Sequence, residues 1–588
     1  MNNKLSWRYR IIQIGTALVA LAILVQITRI QNSVQAQAIL DDTYKYEGNW
    51  TVFYPPRGEI FDRDGNLLAG NTLVYEVAVD LASVENPHTI ALTTSVQLGL
   101  KYETVIDQIT NAPDELISLV LDNYASPDKV EILQELQKRL AEESIKSNED
   151  KPESLAGLTF TPHLQRSYPE NSLASNILGY VTHELRGYYG IEDKYNDLLA
   201  GIPETIWVPL NPNLVEETPE IRSSATLVLT IQRDIQAAVE NILDESIATY
   251  GAESGTVIVM NPQTGEILAM ASTPRINLNE YWKIKEIYTG ETPFNRAISQ
   301  AYEPGSVFKI LTMAAALDTG TVQPSTIFVD TGSFYYGGWN INNWDGSAWG
   351  VQDMIGCLQH SLNVCLAWVA TEVGAEDFYR YMQAFGLGHK TGVDLSGETY
   401  GRLKLPGDSD WYPVELATNS FGQGVSVTPI QMVMAASAIA NNGQMVYPHV
   451  LKMVVQNGQV RETTAPQYAG TPISAETART LTDMLAISLE NEASVALVNG
   501  YRIAGKTGTA QIPSPNGRYD SNQTNGSFIG WGPVDDPQFM VYVWLEKPSA
   551  SIWGSETAAP TFSRIVERLV VLMDIPPDTI RLQAATGP

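Results

Sequence analysis

One uninterrupted apolar run stands out against an otherwise mixed chain. Ile11 to Ile30 reads IIQIGTALVALAILVQITRI and carries no charge before Arg29. Twenty helical residues span about 30 Å, the depth of a bilayer's hydrocarbon core. Lys4, Arg8 and Arg10 precede the run, and positive flanks stay on the cytoplasmic side. The pattern predicts a cytoplasmic tail over residues 1–10, a transmembrane helix over 11–30 and an exported remainder. A second reading is a cleaved signal peptide, because Ala36-Gln37-Ala38 has the form of a cleavage site. A buried soluble helix fits less well, since the run is apolar around its whole circumference.

Beyond the run the periods alternate. PPRGEIFDRDGNLLAGN (Pro55 to Asn71) sets short apolar pieces between Arg-Gly and Asp-Gly turns, and LVYEVAVD then reads as a strand. Asp128 to Ser147 has the pattern of a charged amphipathic helix, followed by a charged loop near residues 146–153. Asn211 to Glu220, NPNLVEETPE, reads as a linker. After Thr226 the pattern passes from strand to helix in LVLTIQRDIQAAVENIL, and GTVIVMNPQTGEILAMAS predicts a hairpin around its Asn-Pro-Gln-Thr-Gly turn. Ser306 to Met382 reads as mainly helical. YRIAGKTGTAQI, SFIGWGP and QFMVYVWLEK read as consecutive strands, and a last helix is predicted over Thr561–Leu572. Strands at both ends of a helical middle indicate a layered α/β domain over residues 225–576, its sheet drawn from both ends. Residues 45–220 form a separate mixed module.

Composition narrows the function. The chain of 588 residues is 44% hydrophobic and 18% charged, which suits a globular protein of several domains. A formal net charge of -29 argues against nucleic acid as a partner. Cys357 and Cys365 are the only cysteines, no metal-ligand spacing accompanies them, and the six histidines are scattered. No metal or cofactor is expected. The two cysteines read as buried apolar thiols. A disulfide is the alternative in an oxidising compartment, although one straight helix through both would hold them too far apart.

The candidate chemistry starts at YEPGSVFKIL, Tyr302 to Leu311. Ser306 follows a Pro-Gly turn and opens an apolar helical pattern, where free N–H groups favour developing negative charge. Lys309 lies one turn on, at a position the pattern assigns to the core. A buried lysine loses affinity for its proton and can then act as the base that a serine hydroxyl needs. Ser361 and Asn363, between two helical patterns, offer a hydroxyl and an amide to a cleft. Lys506, Thr507, Gly508 and Thr509 lie in a strand; the glycine permits close approach of another backbone, and the lysine and hydroxyls suit a carboxylate. A backbone N–H near Thr509, with that of Ser306, can form an oxyanion hole. Each motif has an accidental double: Ser126-x-x-Lys129, Ser514-x-Asn516 and Lys390-Thr391-Gly392. The last is read as a loop.

The order Ser306-x-x-Lys309, Ser361-x-Asn363, Lys506-Thr507-Gly508 resembles the active-site set of penicillin-binding proteins and serine β-lactamases. The flanks YEPGSVFKI, SFGQGVSVTPIQMVMA, AGKTGTAQ and SFIGWGPVDDP resemble the penicillin-binding transpeptidases more closely. RGEIFDRDGNLLA and RSYPENSLASNILGY resemble the N-terminal module of the class B, monofunctional enzymes. This resemblance implies an antiparallel sheet flanked by helices with an all-helical subdomain, carried on a mixed pedestal of the dimerisation type. It implies a peptidoglycan D,D-transpeptidase with Ser306 as nucleophile and Lys309 as base. Ser361 and Lys506 would assist proton transfer, Asn363 would position substrate, and Thr507, Gly508 and Thr509 would bind it. The implied partners are stem peptides, β-lactams as covalent inhibitors and a membrane-embedded glycan polymerase. The ending resembles the septal type more than the elongation type. A β-lactamase is disfavoured: Glu398 is followed four places on by Arg402, where the deacylating loop of those enzymes has asparagine. A D,D-carboxypeptidase and a non-catalytic scaffold or sensor remain as alternatives.

Overall fold

The computed structural model describes residues 6–35, 48–113, 115–144, 152–209, 224–290, 292–492, 494–513 and 519–586. The cleavage-type Ala36–Ala38, the linker at 211–220, Ser514-x-Asn516 and most of the charged loop near 146–153 lie outside these residues.

Two compact units emerge. The first comprises residues 1–56 and 201–224. It holds the apolar helix Ser6–Gln31 and an antiparallel ribbon of Gly48–Phe53 with Glu204–Pro209. Trp50 and Trp207 meet edge to face across the ribbon, 5.6 Å between centroids. Within the helix, Trp7–Gln31 is long and apolar enough to cross a membrane and none of its most apolar stretch is buried.

The second unit comprises residues 57–200 and 225–588. At its centre is a five-stranded antiparallel sheet in the order Ile267–Ser272, Ser254–Met260, Phe539–Glu546, Tyr519–Gly532, Ala504–Pro513. The expected hairpin and the three C-terminal strands are all present, and the sheet is indeed drawn from both ends of the module. The physical reason for the unbroken apolar text FMVYVWL is burial of both faces. Met540, Tyr542 and Trp544 face a core shared with the helical lobe. Val541, Val543 and Leu545 face a second core under the helices Arg233–Tyr250 and Ala558–Leu572. The helix expected to be the last thus starts three residues earlier than the pattern suggested, and a further helix, Asp578–Thr586, follows it.

The stretch read as mainly helical contains two small hairpins. Phe328–Asp330 pairs with Gly350–Gln352, and Ser333–Tyr336 pairs with Trp339–Asn342. Gly337 and Gly338 both take positive φ at the inner turn, the requirement of a tight hairpin whose twist matches its strands.

A second sheet ties N-terminal to C-terminal segments. Its order is Gln459–Thr463, Leu451–Gln456, Thr226–Leu229, Ile60–Phe61, Leu67–Asp80, Ser118–Ala125, with Leu158–Ser167 also pairing Leu67–Asp80. The amphipathic helix runs over Pro127–Ser144 and buries Val130 and Leu133 beneath this module. Glu192 is the polar centre here. It is fully buried and accepts from Arg57 Nε at 2.7 Å, Arg166 Nε at 2.6 Å and Tyr168 Oη at 3.3 Å. These residues come from RGEIFDR, QRSYPE and GIEDK, so three sequence-distant motifs close on one carboxylate.

Removing one partner from a buried ion network costs about 3–5 kcal/mol, because the remaining charges stay buried and unpaired. Glu192→Gln is therefore expected to lower the unfolding free energy by that amount, read as a reduced urea midpoint at unchanged slope.

Candidate active site

Ser306 lies in a single 3-10 turn, Gly305–Phe308, that leads into the helix Lys309–Asp318. The hydroxyl-bearing residue is half-buried, at the head of a helix whose residues Lys309 to Ala316 are all buried. Gly305 has φ +60, and a Cβ there would meet Thr509 O at 2.7 Å and Ala510 Cβ at 2.9 Å. The Ser306 turn is thus pressed against the strand Ala504–Pro513. Gly508 is the reciprocal point: a Cβ there would meet Ser527 Oγ at 2.2 Å and Val307 Cγ1 at 2.8 Å. The turn is fixed from behind by Gly305 N–H donating to Gly422 O at 3.0 Å, within the SFGQG segment.

Lys309 is wholly buried. Its Nζ bonds Ser361 O at 2.6 Å, Ser361 Oγ at 3.1 Å and Asn363 Oδ1 at 2.8 Å. Burial, reinforced by repulsion from Lys506, holds its proton affinity well below the ordinary lysine range. None of its three partners is a carboxylate. A neutral amine has two N–H groups and one lone pair. The carbonyl of Ser361 and the amide oxygen of Asn363 accept the two N–H groups, and the Ser361 hydroxyl can turn to donate to the lone pair. The same three oxygens could accept all three N–H groups of an ammonium, so it is burial, with no carboxylate among these partners, that favours the uncharged form.

Ser361 and Asn363 sit where the chain reverses between the helices Met354–Gln359 and Asn363–Val373. Ser361 takes φ 52, and its N–H reaches Leu358 O at 3.2 Å while Leu362 N–H reaches Cys357 O at 3.0 Å. That is a Schellman closure with a serine in the place glycine usually holds. Asn363 Nδ2 donates to Asn342 O at 3.3 Å on the inner hairpin.

Cys357 and Cys365 form a disulfide across this reversal, which corrects the expectation of two separate thiols. The helix that would have kept them apart is broken at His360–Leu362, and the break brings their Cα atoms to 6.1 Å.

Lys506 is buried on the opposing strand and donates to Thr507 O and Oγ1, each at 3.2 Å. Burial pushes it down to about 8, with the Glu492 carboxylate pulling the other way. Thr507 and Thr509 are half-buried. Thr509 Oγ1 accepts from Gly554 N–H at 3.0 Å, which leaves its own O–H to donate. The eight expected site residues thus come together: the Ser306 turn abuts the strand, Lys309 grips the Ser361–Asn363 turn, and the charge of Lys506 acts on Lys309.

Several neighbours were not legible in the pattern. Glu492 Oε2 lies 2.6 Å from His360 Nδ1, and the His360 ring stacks on Trp349 at 4.2 Å. Trp344 donates its indole N–H to His360 O at 3.0 Å and meets Trp553 edge to face at 5.0 Å. Trp553 precedes Gly554, the donor to Thr509 Oγ1, so this pair joins the Ser361 side to the segment beside Thr509. No spacing rule connects Trp344 to Trp553 across more than two hundred residues. The duplicate Lys390-Thr391-Gly392 is a loop, as expected. Its Thr391 N–H and hydroxyl both donate to Glu398 at 2.6 Å, so this KTG serves to pin a turn. Ser126 precedes the helix Pro127–Ser144 of the N-terminal module.

Residues 255–567 match the penicillin binding protein transpeptidase domain, and residues 52–213 match the penicillin-binding protein dimerisation domain. Stage V sporulation protein D of Bacillus subtilis is 33% identical over 526 residues, covering 87% of this chain and 78% of its own. The peptidoglycan D,D-transpeptidase FtsI of Escherichia coli is 28% identical over 595 residues, covering 98% and 94%. Among solved structures, penicillin binding protein 3 of Mycobacterium tuberculosis, complexed with aztreonam, superposes with a TM-score of 0.68 at 26% identity, over 90% of this chain and 98% of that one. Motif order, site geometry and full-length relatives agree, and the chain belongs to the penicillin-binding proteins, in the class B group that joins a dimerisation domain to a transpeptidase domain.

Proposed function

We propose that the chain is a peptidoglycan D,D-transpeptidase in which Ser306 forms the acyl-enzyme. The observation that carries this reading is Lys309: a fully buried lysine, without a carboxylate among its bonded partners, one helical turn from a half-buried serine. Neutral Lys309 takes the Ser306 proton as Oγ attacks the carbonyl between the two D-alanines that end a stem peptide. The N–H groups of Ser306 and Thr509 receive the oxyanion. The C–N bond breaks, and the leaving D-alanine amine takes a proton passed through Ser361 and Lys506. An amine of a neighbouring stem then attacks the ester. Its proton returns through Lys309, Ser306 regains its own, and a cross-link remains. Asn363 positions the substrate amide. Thr507 and Thr509 hold the carboxylate, and Gly508 lets the extended peptide lie along the strand. β-Lactams acylate Ser306 as mimics of that peptide; the related mycobacterial structure with aztreonam supports this.

The names of the relatives, a division-type transpeptidase and a sporulation protein, support septal rather than lateral synthesis. The Trp7–Gln31 helix supports a membrane anchor, and the basic residues Lys4, Arg8 and Arg10 before it support a cytoplasmic N-terminus. A buried disulfide supports an oxidising, extracytoplasmic setting for the catalytic module. The division we assign is a tail at 1–10, an anchor at 11–30, a pedestal over 45–220 and a transpeptidase domain over 225–576. The glycan polymerase is assigned to a membrane-embedded partner.

Fluorescent penicillin should label the purified chain, and Ser306→Ala should abolish labelling while Ser126→Ala leaves it unchanged. Persistence of label in Ser306→Ala would overturn the site. Lys309→Ala should slow acylation about 10²–10⁴-fold. Products formed with and without an amine acceptor separate a transpeptidase from a carboxypeptidase.

The two lysines also set a pH profile. Acylation needs Lys309 neutral, so its rate rises as pH passes upward through that group's lowered pKa. Lys506 keeps its charge only below about 8, so carboxylate binding weakens as pH rises through that value. The result is a bell with its alkaline limb near pH 8. Lys506→Arg, which stays charged, should lack that limb; a limb unchanged in this variant would dissociate it from Lys506.

A further inference from the structure

Between Cys357 and Cys365 lie Ser361, Leu362 and Asn363, the whole of the turn that grips Lys309. The first cysteine belongs to a six-residue helix, too short to be stable by itself, and the second to the first turn of the next. Ser361 at the apex is in the left-handed region, which a residue bearing a Cβ enters at a cost. Two backbone bonds close the turn, and one of them ends on the carbonyl of Cys357 itself. Both cysteines are fully buried. Thiols at the same places would retain most of that apolar packing, since free cysteine behaves as a small hydrophobe. What the cross-link adds is a limit on the conformations open to the reversal.

We propose that the Cys357–Cys365 disulfide is a positioning element of the active site, holding the Ser361–Asn363 turn in the form that engages Lys309. The inference rests on the assignment of Ser306 and Lys309 made above. The sulfurs touch no substrate and take no part in acyl transfer. Their effect passes through the turn: its carbonyl, hydroxyl and amide keep Lys309 in place and water away from it. A loosened turn hydrates Lys309, restores some of its affinity for a proton and misplaces Ser361 in the relay.

The test compares the full chain with Cys357→Ala/Cys365→Ala. Denatured without reductant, the wild-type chain should offer no thiol to alkylation; two titratable thiols would overturn the proposal. Penicillin acylation is then followed across pH, with the thermal midpoint measured alongside. The expected result is acylation slowed about tenfold to a hundredfold, the scale of a small misplacement of catalytic groups. The acid limb should move to higher pH. A purely structural staple would lower the midpoint and leave the acid limb where it was, and that outcome overturns the proposal. If the double variant does not fold, the wild-type chain refolded with and without a thiol reductant gives the same comparison. A wild-type chain that penicillin does not label would instead overturn the assignment of Ser306, whereas a labelled wild type with an unaltered variant overturns only the role of the bridge.

Discussion

An amine held in the core without a counter-charge is the constraint around which the catalytic module is arranged. Burying a lone ammonium is so costly that the group neutralises instead. Lys309 accordingly sits among a carbonyl, a hydroxyl and an amide, partners that satisfy an uncharged nitrogen. Remove the helical lobe and the nitrogen is hydrated. Supply a carboxylate and it is charged. Either change removes the uncharged amine, so the lobe, the reversal at Ser361 and the strand bearing Lys506 are all tied to one solvation requirement.

The five-stranded sheet provides the fixed side of this arrangement. Its two faces are buried in separate cores, one shared with the helical lobe and one closed by the helices Arg233–Tyr250 and Ala558–Leu572. A sheet clamped on both faces resists bending, and interiors packed at crystal-like density transmit displacement. The edge strand Ala504–Pro513 can then present Lys506, Thr507 and Thr509 at a constant distance from the Ser306 turn. Gly305 and Gly508 set that distance, since each would clash with the other's segment if it carried a side chain. The opposite wall has less intrinsic rigidity: a short helix, a left-handed serine and a reversal. It is there that a disulfide, a stacked histidine and an indole hydrogen bond accumulate.

Sequence reasoning reached far in this chain for identifiable reasons. Ser306-x-x-Lys309 is local, and a lysine at a core position declares itself against the helical period. FMVYVWL and GTVIVM announced strands, and packing then showed both faces of each to be buried. The apolar Ile11–Ile30 needed only its length. The glycine of Lys506-Thr507-Gly508 reads as room for a second backbone; within the fold the space beside it is taken by the side chains of Ser527 and Val307. The two hairpins at Phe328–Gln352 were absorbed into a helical stretch because each strand is only three or four residues long, too short for a period of two to register.

The amino-acid sequence by itself determined which residues are candidates for chemistry, in what order, and which of the longer segments are strand or helix, because these depend on contacts within a few residues. Tertiary structure alone decided what depends on contacts between distant segments. It made Cys357 and Cys365 a bridge by breaking their helix at Ser361. It set Glu192 between Arg57 and Arg166, Trp344 against Trp553 and Glu492 beside His360. Such pairings fall at no fixed spacing, and their energies arise from the exclusion of water, which no local pattern encodes.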